Sequence, residues 1–104
     1  MNNATLSEQY AEIAERWVDA DAAANLLEDC KSAFLSQRML ACGDMAVNKA
    51  EMSVKGSRDW EDYIRKTVAA RKQANLCKVQ METIKMRFQE WISEDANRRV
   101  EARL

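Results

Sequence analysis

Histidine and proline are absent from this sequence, and glycine occurs only as Gly43 and Gly56. Without histidine the commonest general base and the commonest metal ligand are missing, so no Ser-His or Cys-His catalytic pair can be assembled. Without turn residues a sheet protein is hard to build. A sandwich, barrel or α/β domain of 104 residues reverses direction many times, and tight turns draw on Gly and Pro for backbone reasons. Cysteine is scarce as well. Cys30, Cys42 and Cys77 include no CxxC pair, whereas zinc and redox motifs need paired spacing. The expectation is three reduced thiols, with Cys30 and Cys77 as small core residues and Cys42 exposed.

No run approaches the ~18 apolar residues of a membrane span. The polar start, Met1-Asn2-Asn3-Ala4-Thr5, has neither the basic region nor the apolar run of a secretory signal. Neither glycine belongs to a phosphate-cradling loop. Glu8, Glu12 and Glu15 supply only half of the Glu and Glu-x-x-His pattern by which helical bundles hold metals. These absences together predict a cytoplasmic, non-enzymatic protein with no cofactor and no metal.

What remains is rich in Ala, Glu, Lys, Arg, Met and Leu, the strongest helix formers. Thr5-Leu6-Ser7-Glu8 reads as a capping box that opens a helix. Leu6, Tyr10, Ile13, Trp17, Ala20, Ala24 and Leu27 then recur at steps of four and three, which is one helical face. The stripe drifts on to Cys30, Ala33, Phe34 and Leu40. Gly43-Asp44 either ends this helix, with a short third helix around 44–54, or is a weak point in a helix that continues. The second option is preferred, with the main reversal at 55–58, where Gly56 suits a helix C-terminus and Ser57 an N-cap. A second long helix spans about 58–101, its face marked by Trp60, Ile64 and Val68 and later by Cys77, Met81, Ile84, Phe88, Trp91 and Ile92.

The expected fold is therefore all-α: one domain over 1–104, a long, coiled-coil-like antiparallel hairpin of helices 5–54 and 58–101. Leu26, Leu35, Met39, Val79 and Met86 lie off the main seam and need a further surface. Two hairpins pairing into a four-helix homodimer would supply it. Trp17, Leu27, Phe34, Trp60, Ile64, Met81, Phe88 and Trp91 are the expected core or dimer seam.

Net charge is −1, but the charge is segregated. Residues 1–56 carry nine acidic and five basic side chains, and residues 57–104 carry eleven basic and eight acidic. Glu8, Glu12, Glu15 and Asp19 form a candidate acidic face. Arg65, Arg71, Lys72, Lys78 and Lys85 are candidate contacts for an acidic partner or for nucleic acid, because ridges of this kind can follow phosphates. With a turn at Gly56, Glu8 would face the C-terminal end and Asp29 the region of Glu82. The acidic block would then miss the basic block within one chain, which favours pairing between chains.

Three segments, Val68-Ala69-Ala70-Arg71-Lys72-Gln73-Ala74-Asn75, Lys85-Met86-Arg87-Phe88-Gln89-Glu90-Trp91 and Ala96-Asn97-Arg98-Arg99-Val100-Glu101-Ala102-Arg103-Leu104, resemble small helical proteins encoded by tailed phages and prophages. The likeness is to a pattern over about two thirds of the chain: an acidic aromatic-containing helix, a break, and a basic helix with an Ala-Asn-x-Arg-x-Glu-x-x-Leu tail. That resemblance implies an accessory protein in a bacterial host cell, acting as a helical protein–protein interaction module on a host or phage protein of DNA metabolism. The family has no assigned activity, so no catalytic residue carries over. Direct nucleic-acid binding and a part in virion assembly are the alternatives.

Overall fold

The computed structural model describes residues 5–103. Residues 1–4 and Leu104, which carry the polar start and the last position of the tail motif, lie outside the described residues. Among the described residues there are four helices: α1 (Leu6–Asp29), α2 (Lys31–Leu40), α3 (Val47–Lys55) and α4 (Arg58–Arg103). No strand occurs among the described residues. Helices α1 and α2 run almost end to end, and α4 lies antiparallel along α1 for most of its length. The molecule measures 84 × 23 × 19 Å with a radius of gyration of 23.3 Å, where a compact chain of this size would have about 13 Å. It is a rod.

The capping box forms as the sequence implies. The Glu8 amide donates to Thr5 Oγ1 at 3.2 Å, and the Thr5 amide donates to Glu8 Oε2 at 3.2 Å. Two of the unpaired donors at the start of α1 are satisfied in this way. Ser57 caps α4 by accepting from the Trp60 amide at 3.3 Å, while its own hydroxyl donates to the Val54 carbonyl at 2.6 Å.

The first helix does not run from 5 to 54. It is interrupted at Cys30 and stops at Leu40, and the chain folds back through Gly43, whose φ is +74°. A left-handed residue ends a helix, and glycine takes that conformation without a Cβ penalty. Gly56 stays right-handed at φ −88°. The sharper backbone demand thus falls on Gly43. Helix α3 begins after Ala46, whose side chain makes no capping bond, and Asp44 does not take that role. It packs on α2 and on the start of α4, and buries Ala50 and Val54.

The core is thin and made of small side chains. The buried hydrophobic residues are Ala24, Ala50, Val54, Ala74, Cys77 and Ile84, with Ala24 at 0% and Ala74 at 1% exposure. Alanine at these positions lets α1 and α4 approach closely, at a level where larger side chains would hold them apart. The α1 stripe read from the sequence, Leu6 to Leu27, is buried or half-buried throughout. Cys77 is buried, but Cys30 is exposed at the α1–α2 junction and Cys42 is half-buried. Ala33, Leu40 and Val68 also face outward, because the interruption at Cys30 and the fold-back after Leu40 end the simple two-helix seam.

Two stability outcomes test this arrangement. Ala74→Leu inserts volume at a buried position of α4 and should destabilise by about 1–3 kcal/mol in urea denaturation. Gly43→Ala puts a Cβ into open space, so its cost is the left-handed backbone alone, about 1–2 kcal/mol.

Candidate functional site

The register between α1 and α4 is fixed by side chains the sequence pattern did not single out together. Asp21, Asn25 and Glu28 recur at steps of four and three along one flank of α1, and Arg71 of α4 reaches all three. Its Nε donates to Glu28 Oε1 at 2.8 Å, and its Nη2 donates to Glu28 Oε2 at 2.8 Å and to Asn25 Oδ1 at 2.7 Å. Nη1 donates to Asp21 Oδ1 at 2.8 Å. The guanidinium fork suits a two-pronged contact with one carboxylate, and the remaining nitrogen is free to take a second. The side chain of Arg71 is 32% exposed, so water screens these contacts only in part. The hydrogen bonds from Arg71 hold the Glu28 carboxyl below its ordinary range, against a smaller opposing effect of desolvation. Glu28 and Asp21 in turn push the Arg71 guanidinium above its own.

This contact overturns the expected mismatch between the charged blocks. The turn at Gly43 and helix α3 take up the chain from Ala41 to Ser57, so α4 starts further back along α1–α2 than a single turn at Gly56 would allow. Phe34 of α2 therefore meets Tyr63 at 4.5 Å between ring centroids and Trp60 at 6.2 Å. Lys85 lies over the Tyr10 ring at 5.8 Å. Asp21 and Glu28 of α1 thus meet Arg71 in the basic middle of α4 within one chain.

The other candidate residues fall into separate environments. Arg65 pairs with Glu61 of its own helix at 2.7 Å. Lys85 lies 3.5 Å from Glu82, which together with Tyr10 raises its pKa. Lys72 and Lys78 are exposed and have no ion pair among the described residues. On α1, Glu8 is engaged in the capping box and Glu12 pairs with Arg16 at 2.7 Å. Glu15 and Asp19 are exposed. Helical spacing places all four of these acids on the side of α1 opposite Ala24, so they form an outward row and not part of the α4 contact.

A second cluster closes the turn end of the rod. Phe34, Trp60 and Tyr63 stack nearly parallel, with Lys31 5.7 Å from the Trp60 ring and Arg38 5.3 Å from the Phe34 ring. The Tyr63 hydroxyl donates to the Leu27 carbonyl near the end of α1, where the last carbonyls of a helix lack partners within it. Desolvation raises the Tyr63 pKa. Phe34, Trp60 and Ile64 were expected in the seam and are half-buried there, as are Trp17, Leu27 and Met81. Among the described residues Phe88 and Trp91 are left 49% and 52% exposed, because α4 continues past the first turn of α1, which lies beside Phe88.

Among the described residues no group of three or more Cys, Asp or Glu is placed to hold a metal ion, and no helix is long and apolar enough to cross a membrane. No family model, curated protein or solved structure matches the chain.

The Arg71 contact has a pH signature. Glu28 has its folded pKa below the ordinary 4.5, so its contribution to stability is present above that value and is lost as pH falls through the lower, folded one. In urea titrations wild type should lose stability as the solution is acidified below pH 4.5. Arg71→Gln should be less stable at neutral pH and show a shallower loss over the same acid window.

Proposed function

We propose that the chain is a non-enzymatic helical interaction module that docks on another protein through α4. The observation that carries this reading is a row of exposed apolar side chains along α4. Val68, Val79 and Met86 are 61%, 61% and 60% exposed. Their spacings of eleven and seven residues return to one side of a helix. The row spans roughly 27 Å of helix, the kind of surface a partner helix covers with its own apolar stripe. The resemblance to phage-encoded helical proteins suggests the partner's setting, a host or phage protein of DNA metabolism in a bacterial cell.

Nucleic-acid contact through the middle of α4 has less support. Arg71 is committed to α1, and Arg65 and Lys85 have acidic neighbours on their own helix. Of the five candidate cations, Lys72 and Lys78 have no ion pair among the described residues. They point to different sides of the helix, and the stacked aromatics lie elsewhere, Trp60 and Tyr63 at the start of α4 and Phe88 and Trp91 further along it than either lysine.

Capture from a bacterial lysate on immobilised protein tests the first reading. A specific protein should be retained by wild type and lost with Val79→Glu combined with Met86→Glu, while circular dichroism shows unchanged helicity. Equal retention by the double variant would remove the apolar row from consideration. Labelled duplex and single-stranded DNA should show no binding at low salt. Binding whose logarithm falls steeply with that of the salt concentration would instead favour the nucleic-acid reading.

A further inference from the structure

Lys72, Leu76, Val79, Thr83, Met86 and Glu90 recur along α4 at steps of four, three, four, three and four, which keeps all six on one stripe of the helix. All six are exposed, Leu76 at 49%, Val79 at 61% and Met86 at 60%. Helical spacing sets this stripe on the other side of α4 from Ala74, Cys77 and Ile84, which the rest of the chain buries. The Thr83 hydroxyl donates to the Val79 carbonyl of its own helix at 3.0 Å. Covering the stripe therefore strands no donor at its centre.

The stripe is complementary to its own reverse. Its spacing is the same read from either end, so an antiparallel copy on a two-fold axis level with Met81 sets every member against another member. Lys72 meets the partner's Glu90, Leu76 meets the partner's Met86, and Val79 meets the partner's Thr83; the reciprocal pairs form by symmetry. Opposite charges then close both ends and the apolar side chains fill the middle. A parallel copy would instead set Lys72 against the partner's Lys72 and Glu90 against the partner's Glu90. Neither Lys72 nor Glu90 has an ion pair among the described residues.

We infer that residues 72–90 of α4 dock antiparallel on the same residues of a second copy of this chain. The inference rests on the reading of α4 as a docking helix and names a second copy as the occupant of Val79 and Met86; Val68 lies outside the stripe. A further protein that uses the same row competes with the second copy. The stripe is short, which puts the interface in the small, weakly associating class, with a dissociation constant of about 100 µM. The register also sets Glu82 beside the partner's Glu82 on one flank, while on the other flank neutral Gln80 meets the partner's Gln80. Each Glu82 has Lys85 of its own helix at 3.5 Å and Lys78 one turn back, which offsets most of that repulsion. Removal of this one acidic charge therefore strengthens the pairing.

Sedimentation equilibrium of the full chain up to about 500 µM, several times the expected dissociation constant, should show a monomer–dimer equilibrium. Lys72→Glu and Glu90→Lys should each weaken dimerisation about tenfold, because each turns two attractive pairs into two repulsive ones. Mixed in equal amounts, the two variants should recover wild-type association in a dimer that contains one of each. The chain that carries both changes should recover it as well, and either recovery excludes misfolding as the cause of the loss. Glu82→Gln should tighten the dimer about threefold. A monomer throughout the range overturns the inference. So do single changes without effect, losses that neither the mixture nor the double change recovers, or a Glu82→Gln dimer weaker than wild type. The two readings fail separately. A monomeric chain that still captures a lysate protein through Val79 and Met86 removes the second copy and leaves the docking row, whereas a dimer that captures nothing leaves the present inference standing.

Discussion

Close approach of α1 and α4 at Ala24 and Ala74, locked by the reach of Arg71 across to Asp21, Asn25 and Glu28, is the contact on which the rest of the rod depends. A two-helix interface with so little buried volume has weak control over sliding, because one apolar turn can replace another. A guanidinium with three specific acceptors does not slide. Once it is seated, Tyr63 falls beside the Leu27 carbonyl, Lys85 over Tyr10, and Phe88 beside Leu6. Among the described residues no helix then faces α4 beyond Phe88. Removal of a hydrogen-bonded partner from such a group costs more than the contact itself contributes, since the partner groups remain partly desolvated.

The small residues and the charges divide the work. Alanines set the distance between the helices and supply little hydrophobic gain, about 25 cal/mol for each Å² of apolar surface removed from water. The polar network sets the register. At the other end of the rod the balance is reversed: Phe34, Trp60 and Tyr63 form an aromatic stack, and α3 folds over beside it. The long α4 ties these two regimes together.

Helix existence was legible in the sequence, and so were the capping box at Thr5, the Ser57 cap and the α1 face from Leu6 to Leu27. Each is a local signal, fixed by residues within one or two turns of each other. Register was not legible. It depends on whether Gly43 or Gly56 turns the chain, and either glycine can end a helix. Asp21, Asn25 and Glu28 share a flank of α1 that the apolar stripe does not mark, and their common partner lies more than forty residues away, with no periodicity in α4 that points to it. Arg71 was picked out as one of a row of basic side chains, and nothing in that row marked it as the one that reaches across to α1. Cys30 looked like a core residue because its neighbours in sequence are apolar. The interruption at that residue turns it outward, and a break without Gly or Pro leaves no mark in composition.

The two ends of the described rod are unlike. At one end α3 folds back beside the aromatic stack, and at the other α4 runs on past the first turn of α1. Among the described residues the last turns of α4 have no packed neighbour, so their own backbone hydrogen bonds are all that hold them. Amide exchange should therefore run along this helix as a gradient, fast past Phe88 and slow where Ala74, Cys77 and Ile84 are buried.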